Sequence, residues 1–185
     1  MKLFCCYFAC VMTLCGAACA QTTHPDRRQR SCRTFVQEFY DWYVPKASAD
    51  RPPGDTTKNS WEVALKHRRP AFTPELYRAL REDADAQDKV EEYSVGIDFD
   101  PFLYTQNPED HYVIEHVTVS GQKCRVEVHG VKSGTSNEVP TPVAELTLSN
   151  GQWRFANFRY GKNELSDDED LLSTLKSLKR DRQKK

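Results

Sequence analysis

This chain has few of the features that usually announce a function. Lysine and arginine number 26 against 27 acids, a net charge of −1. It therefore lacks the strongly basic face that nucleic-acid binding demands. Its longest apolar run, Leu3 to Leu14, is too short for a comfortable membrane span, and no later segment does better. Seven cysteines are present, but Cys5, Cys6, Cys10, Cys15 and Cys19 crowd the start. Only Cys32 and Cys124 lie beyond them, which excludes a cysteine-rich metal site. The five histidines fall at no zinc-ligand spacing. There is no G-x-S-x-G elbow, Walker loop or dinucleotide fingerprint. No metal and no cofactor is expected.

What is present begins with a leader. "MKLFCCYFACVMTLCGAACAQTT" has a basic Lys2, the apolar run, and Ala18-Cys19-Ala20, an A-x-A-like cleavage site before Gln21. Residues 1–20 read as a signal peptide, with the remainder periplasmic or secreted. In an oxidising compartment Cys32 and Cys124 can form one disulfide, with two buried thiols as the alternative. A lipid anchor at Cys19 is a further reading, although Gly16 stands where an attachment box carries Leu, Val or Ile. Residues 21–30, with the run "DRRQR", read as a disordered mature N-terminus. Residues 31–180 read as one domain and 181–185 as a basic tail, since terminal charge runs are usually solvated.

Within the domain the hydrophobic period changes once. "SCRTFVQEFYDWYVPKA" repeats Phe35, Phe39 and Trp42 at helical spacing, with Ser31 to cap it and Pro45 to end it. A short helix follows in "NSWEVALKHRRP". A third occupies "FTPELYRALREDADAQ", with Thr73 as N-cap and Pro74 in the first turn. "YVIEHVTVSGQKCRVEVHG" then alternates around Ser120-Gly121, which predicts a hairpin pairing Val117 with Cys124 and His116 with Arg125. Asn150-Gly151 predicts a second hairpin with a type I′ turn, in which Leu148 faces Trp153, Leu146 faces Phe155 and Ala144 faces Asn157. "SDDEDLLSTLKSLKRDRQKK" closes the chain as a helix with a Ser166/Glu169 capping box and a Leu171, Leu172, Leu175, Leu178 stripe. Helices first and antiparallel strands afterwards make the fold α+β. N-terminal helices would pack on a strongly curved, cone-like antiparallel sheet, with a C-terminal helix beside them.

"FYDWYVPKA", "PELYRAL", "DFDPFLYTQ" and "GQWRFANFRY" occur in an order that resembles a bacterial exported family, domain of unknown function 3828. The likeness spans roughly residues 32 to 178. It implies a nuclear-transport-factor-2-like (cystatin-like cone) fold with a pocket, an envelope or secreted location, and no assigned reaction.

The chemistry-bearing stretch is "GIDFDPFLYTQNPED", residues 96 to 110. Asp98 and Asp100 sit among Phe99, Phe102 and Tyr104, where lost solvation would raise a carboxyl pKa toward that of a general base. Read as a calcium loop from Asp98, the segment puts Phe102 and Leu103 where a ligand and a glycine belong, so that match fails. As a turn, Asp100 before Pro101 would cap amides further along, with Gln106 satisfying nearby backbone and Phe102 and Leu103 plugging the sheet. Two functions stay open on this reading. One is a non-catalytic domain binding an unknown protein partner or small ligand through Asp98, Asp100, Tyr104 and Gln106, with "WRFANFRY" as an exposed contact strand. The other is a small hydrolase or isomerase using Asp98 or Asp100 as base.

Overall fold

Helix α1, Pro25–Ala47, is the spine of the molecule. The computed structural model describes residues 25–49, 59–90, 95–105, 108–139, 142–161 and 170–184. The leader at residues 1–20, Gln106 and the Ser166/Glu169 box lie outside the described residues. α1 starts six residues before Ser31, so residues 25–30, expected to be disordered, form its first turns. Pro45 sits inside the last turn rather than beyond it. The buried stripe is Cys32, Val36, Phe39, Tyr40, Tyr43 and Val44, rotated slightly from the expected one, with Phe35 and Trp42 at its margin.

α2, Glu62–His67, and a short 3-10 turn at Arg69–Ala71 lead into α3, Pro74–Gln87. α3 begins as expected, with Thr73 Oγ1 accepting from the Leu76 amide at 3.3 Å. It buries Leu76, Leu80 and Ala84, and among these apolar positions also Asp83.

The sheet has five antiparallel strands: β1, His111–Ser120; β2, Lys123–Lys132; β3, Thr135–Ser136; β4, Val143–Ser149; and β5, Gln152–Arg159. Their order is β1-β2-β4-β5, with β3 pairing the far end of β2. The fold is α+β as read, and the sheet is curved without closing. Bulges between Ile114 and Val117 and between Glu145 and Leu146 supply local bend and twist. The registers differ from the expected ones at both hairpins. The first hairpin turns on Gly121-Gln122, so Val119 pairs with Cys124 and Thr118, not His116, pairs with Arg125. The β1 bulge then carries Ile114 to the buried face, where a strict alternation would have left it wet. In the second hairpin Asn150 (φ 51°) and Gly151 (φ 75°) make the predicted turn. Leu148–Trp153 and Leu146–Phe155 hold, but the bulge brings Phe158 rather than Asn157 opposite Ala144.

Both edges of the sheet are occupied. Along β1, α1 presents Gln29, Arg33 and Gln37, one turn apart. Gln29 Nε2 donates to the Val117 carbonyl at 2.9 Å, Arg33 spans the Ile114 and Glu115 carbonyls, and Gln37 Nε2 reaches Tyr112 O at 3.0 Å. Arg28 donates to Gly121 O, so part of "DRRQR" is docked rather than a solvated tail. Along β5, the Thr73 amide donates to Phe155 O at 2.8 Å, and Asn157 bonds Asp170 and the Leu172 amide. Such covering removes the unpaired row of polar groups that makes an open edge prone to aggregate. Cys32 of α1 and Cys124 of β2 are joined as a disulfide across 92 residues of sequence.

α4 runs Leu171–Gln183, capped by Asp170, whose side chain accepts from the Ser173 amide. Leu171 and Leu175 are buried, and Leu172 and Leu178 pack beside them. The helix extends past position 180, and the supposed basic tail contains an anchor. Arg182 Nη1 lies 2.6 Å from buried Asp83 and 2.8 Å from Val95 O. Asp83 also accepts from the Ile97 amide at 2.9 Å. A Cβ at Gly96 would lie 2.6 Å from Asp83 Oδ2, which explains a glycine at that close approach.

Candidate functional site

Asp100 is the acid that composition made suspect, and it is 7% exposed. The chain around it folds back on itself: the Asp100 amide donates to Thr105 O at 3.0 Å, and the Tyr104 amide to Asp100 O at 2.7 Å. Inside that closure, Asp100 Oδ1 accepts from the Phe102 and Leu103 amides at 2.9 and 3.1 Å. Its other oxygen, Oδ2, accepts a hydrogen bond from the Tyr43 hydroxyl of α1.

Two more tyrosines grip the same loop through its carbonyls. Tyr40 of α1 donates to Phe102 O at 2.7 Å, and Tyr160, just past β5, to Pro101 O at 2.9 Å. Phe102 is fully buried, with its ring 5.7 Å from Phe39, 5.2 Å from Tyr43, 5.4 Å from Phe72 and 5.3 Å from Phe158. Tyr104 takes a left-handed backbone, φ 52°, which costs a non-glycine residue roughly 1–2 kcal/mol. Its ring stacks on Tyr160 at 4.2 Å, and Phe99 meets both rings edge-on.

Electrostatics follow from this packing. Burial raises the Asp100 carboxyl to about 6, while the Tyr43 hydroxyl and the two amides pull it down. Burial first, and the Asp100 charge next, push Tyr40 and Tyr160 well above the ordinary tyrosine value. Tyr43 is raised in the same way, with its own bond to Asp100 adding to the effect. These hydroxyls therefore act as donors, not as proton relays, across the physiological range.

A carboxyl near 6 could serve as a general base, but a base needs a lone pair within reach of a substrate proton. Asp100 gives one oxygen to two amides and the other to a tyrosine, behind a wall of aromatic rings. Asp98 is exposed. The enzyme alternative required one of these aspartates to face a closed apolar cavity, and neither meets that condition. The loop brings Asp100 and Tyr104 together but leaves Asp98 outside, and Gln106 lies outside the described residues. The strand "WRFANFRY" is not an open contact surface either, since Trp153, Phe155, Phe158 and Tyr160 are all buried. His129 is buried with Nδ1 2.8 Å from Asn137 O.

Sequence reasoning missed the polar groups that matter most to the helices. Asp83 falls at helical spacing between Leu80 and Ala84, and an acid in an apolar stripe was a readable signal. It also missed a cleft flanking the start of α3, lined by Arg69, Arg78, Arg81 and Arg154. Those residues come from three elements, the 3-10 turn, α3 and β5, so no spacing announced them as a group. Among the described residues, no group of three histidines, cysteines or acids is placed to hold a metal ion.

No family model matches the chain, and no curated protein matches it. A crystal structure of a protein of unknown function from Bacteroides thetaiotaomicron VPI-5482 superposes with a TM-score of 0.48 at 14% identity. The match covers 72% of this chain and 92% of that one, and a likeness of that degree carries no functional argument.

Proposed function

We propose that this chain is an exported domain of the bacterial envelope that binds a ligand or partner and performs no chemistry. The observation that carries the reading is Asp100. The residue best suited to catalysis by burial spends both carboxylate oxygens on holding a loop shut. The Cys32–Cys124 bond supports an oxidising compartment, where such bonds persist. The resemblance of "FYDWYVPKA", "DFDPFLYTQ" and "GQWRFANFRY" to domain-of-unknown-function family 3828 implies export and a nuclear-transport-factor-2-like cone. On this reading residues 1–20 are removed and the rest forms one domain.

Expression with the native leader tests it. The predicted product is released by osmotic shock, begins at Gln21 by intact mass, and has thiols that alkylate only after reduction. A product retained in the cytoplasm, beginning at Met1 with two reactive thiols, overturns the envelope reading. A product beginning at Cys19 with an added acyl mass replaces the soluble form with an anchored one.

A further inference from the structure

One surface of the molecule holds charge without its complement. Arg69, Arg78, Arg81 and Arg154 line a cleft of about 540 Å³ that also includes Phe72 and Tyr77. Ligand sites fall in this size range, with apolar walls and a few convergent polar groups. Arg81 is paired, to Asp85 and at 3.9 Å to Glu62. Among the described residues the other three have no acid within ion-pair distance, and Arg78 acts on Glu82 only at longer range. Arg69 lies over the Tyr77 ring, 5.0 Å from its centroid. Arg154 Nε is buried from solvent with no hydrogen-bond partner, an orphaned donor on a charged group. Pro74 places the start of α3 on the same cleft, so the positive end of the helix dipole adds to the field.

We propose that this cleft binds a phosphomonoester carried on an apolar body. Three guanidinium groups without acids repel one another, and their planar donor forks match a phosphate or carboxylate edge. Charge selects between those two. A phosphomonoester carries about −1.5 to −2 near neutral pH, against −1 for a carboxylate, and so answers three cations better. The Phe72 and Tyr77 rings give the rest of the ligand an apolar surface. The inference rests on the binding reading above and names its ligand class.

The test uses the disulfide-intact protein and isothermal titration with phenyl phosphate and with orthophosphate. Flotation with vesicles of phosphatidic acid in phosphatidylcholine, against phosphatidylcholine alone, tells a lipid source from a soluble one. One-to-one binding is expected, tighter for phenyl phosphate than for orthophosphate. Arg78→Gln and Arg154→Gln should each weaken it about tenfold, the scale of one lost charged hydrogen bond. Lys123→Gln, an exposed cation on the β1–β2 hairpin, should leave it unchanged. Circular dichroism confirms that each variant is folded. Silence from every phosphate probe, or arginine variants that bind as tightly as the parent, overturns the proposal. A ligand-observed screen of neutral and cationic fragments separates the failures. A fragment hit with phosphate silence removes only the anion, and silence throughout removes the binding reading too.

Discussion

The loop around Asp100 and the arginine cleft lie close together, since Phe72 packs on Phe102 of the loop and also lines the cleft. They are opposite in how they treat polar groups. In the loop each carboxylate oxygen has a donor, and three tyrosine hydroxyls reach in from α1 and the end of β5. In the cleft three of the four arginines have no acid within ion-pair distance among the described residues, and one buried donor has no partner. A closed polar network rigidifies what it holds, whereas unmatched charge is costly in isolation and is relieved by a ligand. The polar groups are thus best satisfied where the sequence looked catalytic, and least satisfied where it signalled nothing.

The sharpest way to break the contrast is to release the spine. Removing the disulfide with Cys32→Ser and Cys124→Ser frees α1, which carries Tyr40 and Tyr43. The expected loss is roughly 4–5 kcal/mol for a loop of this length, read by urea denaturation. Next comes pH. Asp100 has a folded pKa of about 6 against an unfolded value near 3.8, so the folded state binds the extra proton. Its stabilising contribution is complete below pH 3.8 and is lost as pH rises through 6. Relative to Asp100→Asn, the parent should lose roughly 2.4 kcal/mol between pH 4 and pH 7. A stability difference flat with pH would contradict that burial. Asp100→Ala should cost about 2 kcal/mol at pH 7, because two buried amides and a tyrosine lose their acceptor. The smallest expected effect has a different character. Arg78→Gln should change stability by less than about 0.5 kcal/mol, as exposed substitutions do, while phosphate affinity falls.

What the sequence disclosed was local. Thr73-Pro74, Asn150-Gly151 and Asp100-Pro101 act within a few residues of themselves, and each formed the cap or turn that its chemistry predicts. The reading failed where the decisive partner is distant. Arg182 looked like part of a solvated tail because its acid, Asp83, lies 99 positions away. Gln29 and Arg28 looked disordered because the carbonyls they serve belong to β1 and its turn. The turn of the first hairpin moved by one position, and each pairing by two, because Ser120-Gly121 and Gly121-Gln122 are equally plausible turns. Both registers bury Cys124, Val126 and Val128, because a shift of two residues keeps every side chain on its face, so a period of two cannot choose between them. The cleft was illegible because Arg69, Arg78 and Arg154 meet only after folding.

The most direct test follows backbone amide and arginine Nε–Hε resonances of the 15N-labelled protein during titration with phenyl phosphate. Both regions then report in one spectrum. The predicted result is saturable shifts at residues 69–81 and at the Arg154 side chain, with residues 98–105 unmoved. Shifts centred on residues 98–105, with the arginines silent, would make the Asp100 loop the binding site and reverse the assignment of the two regions.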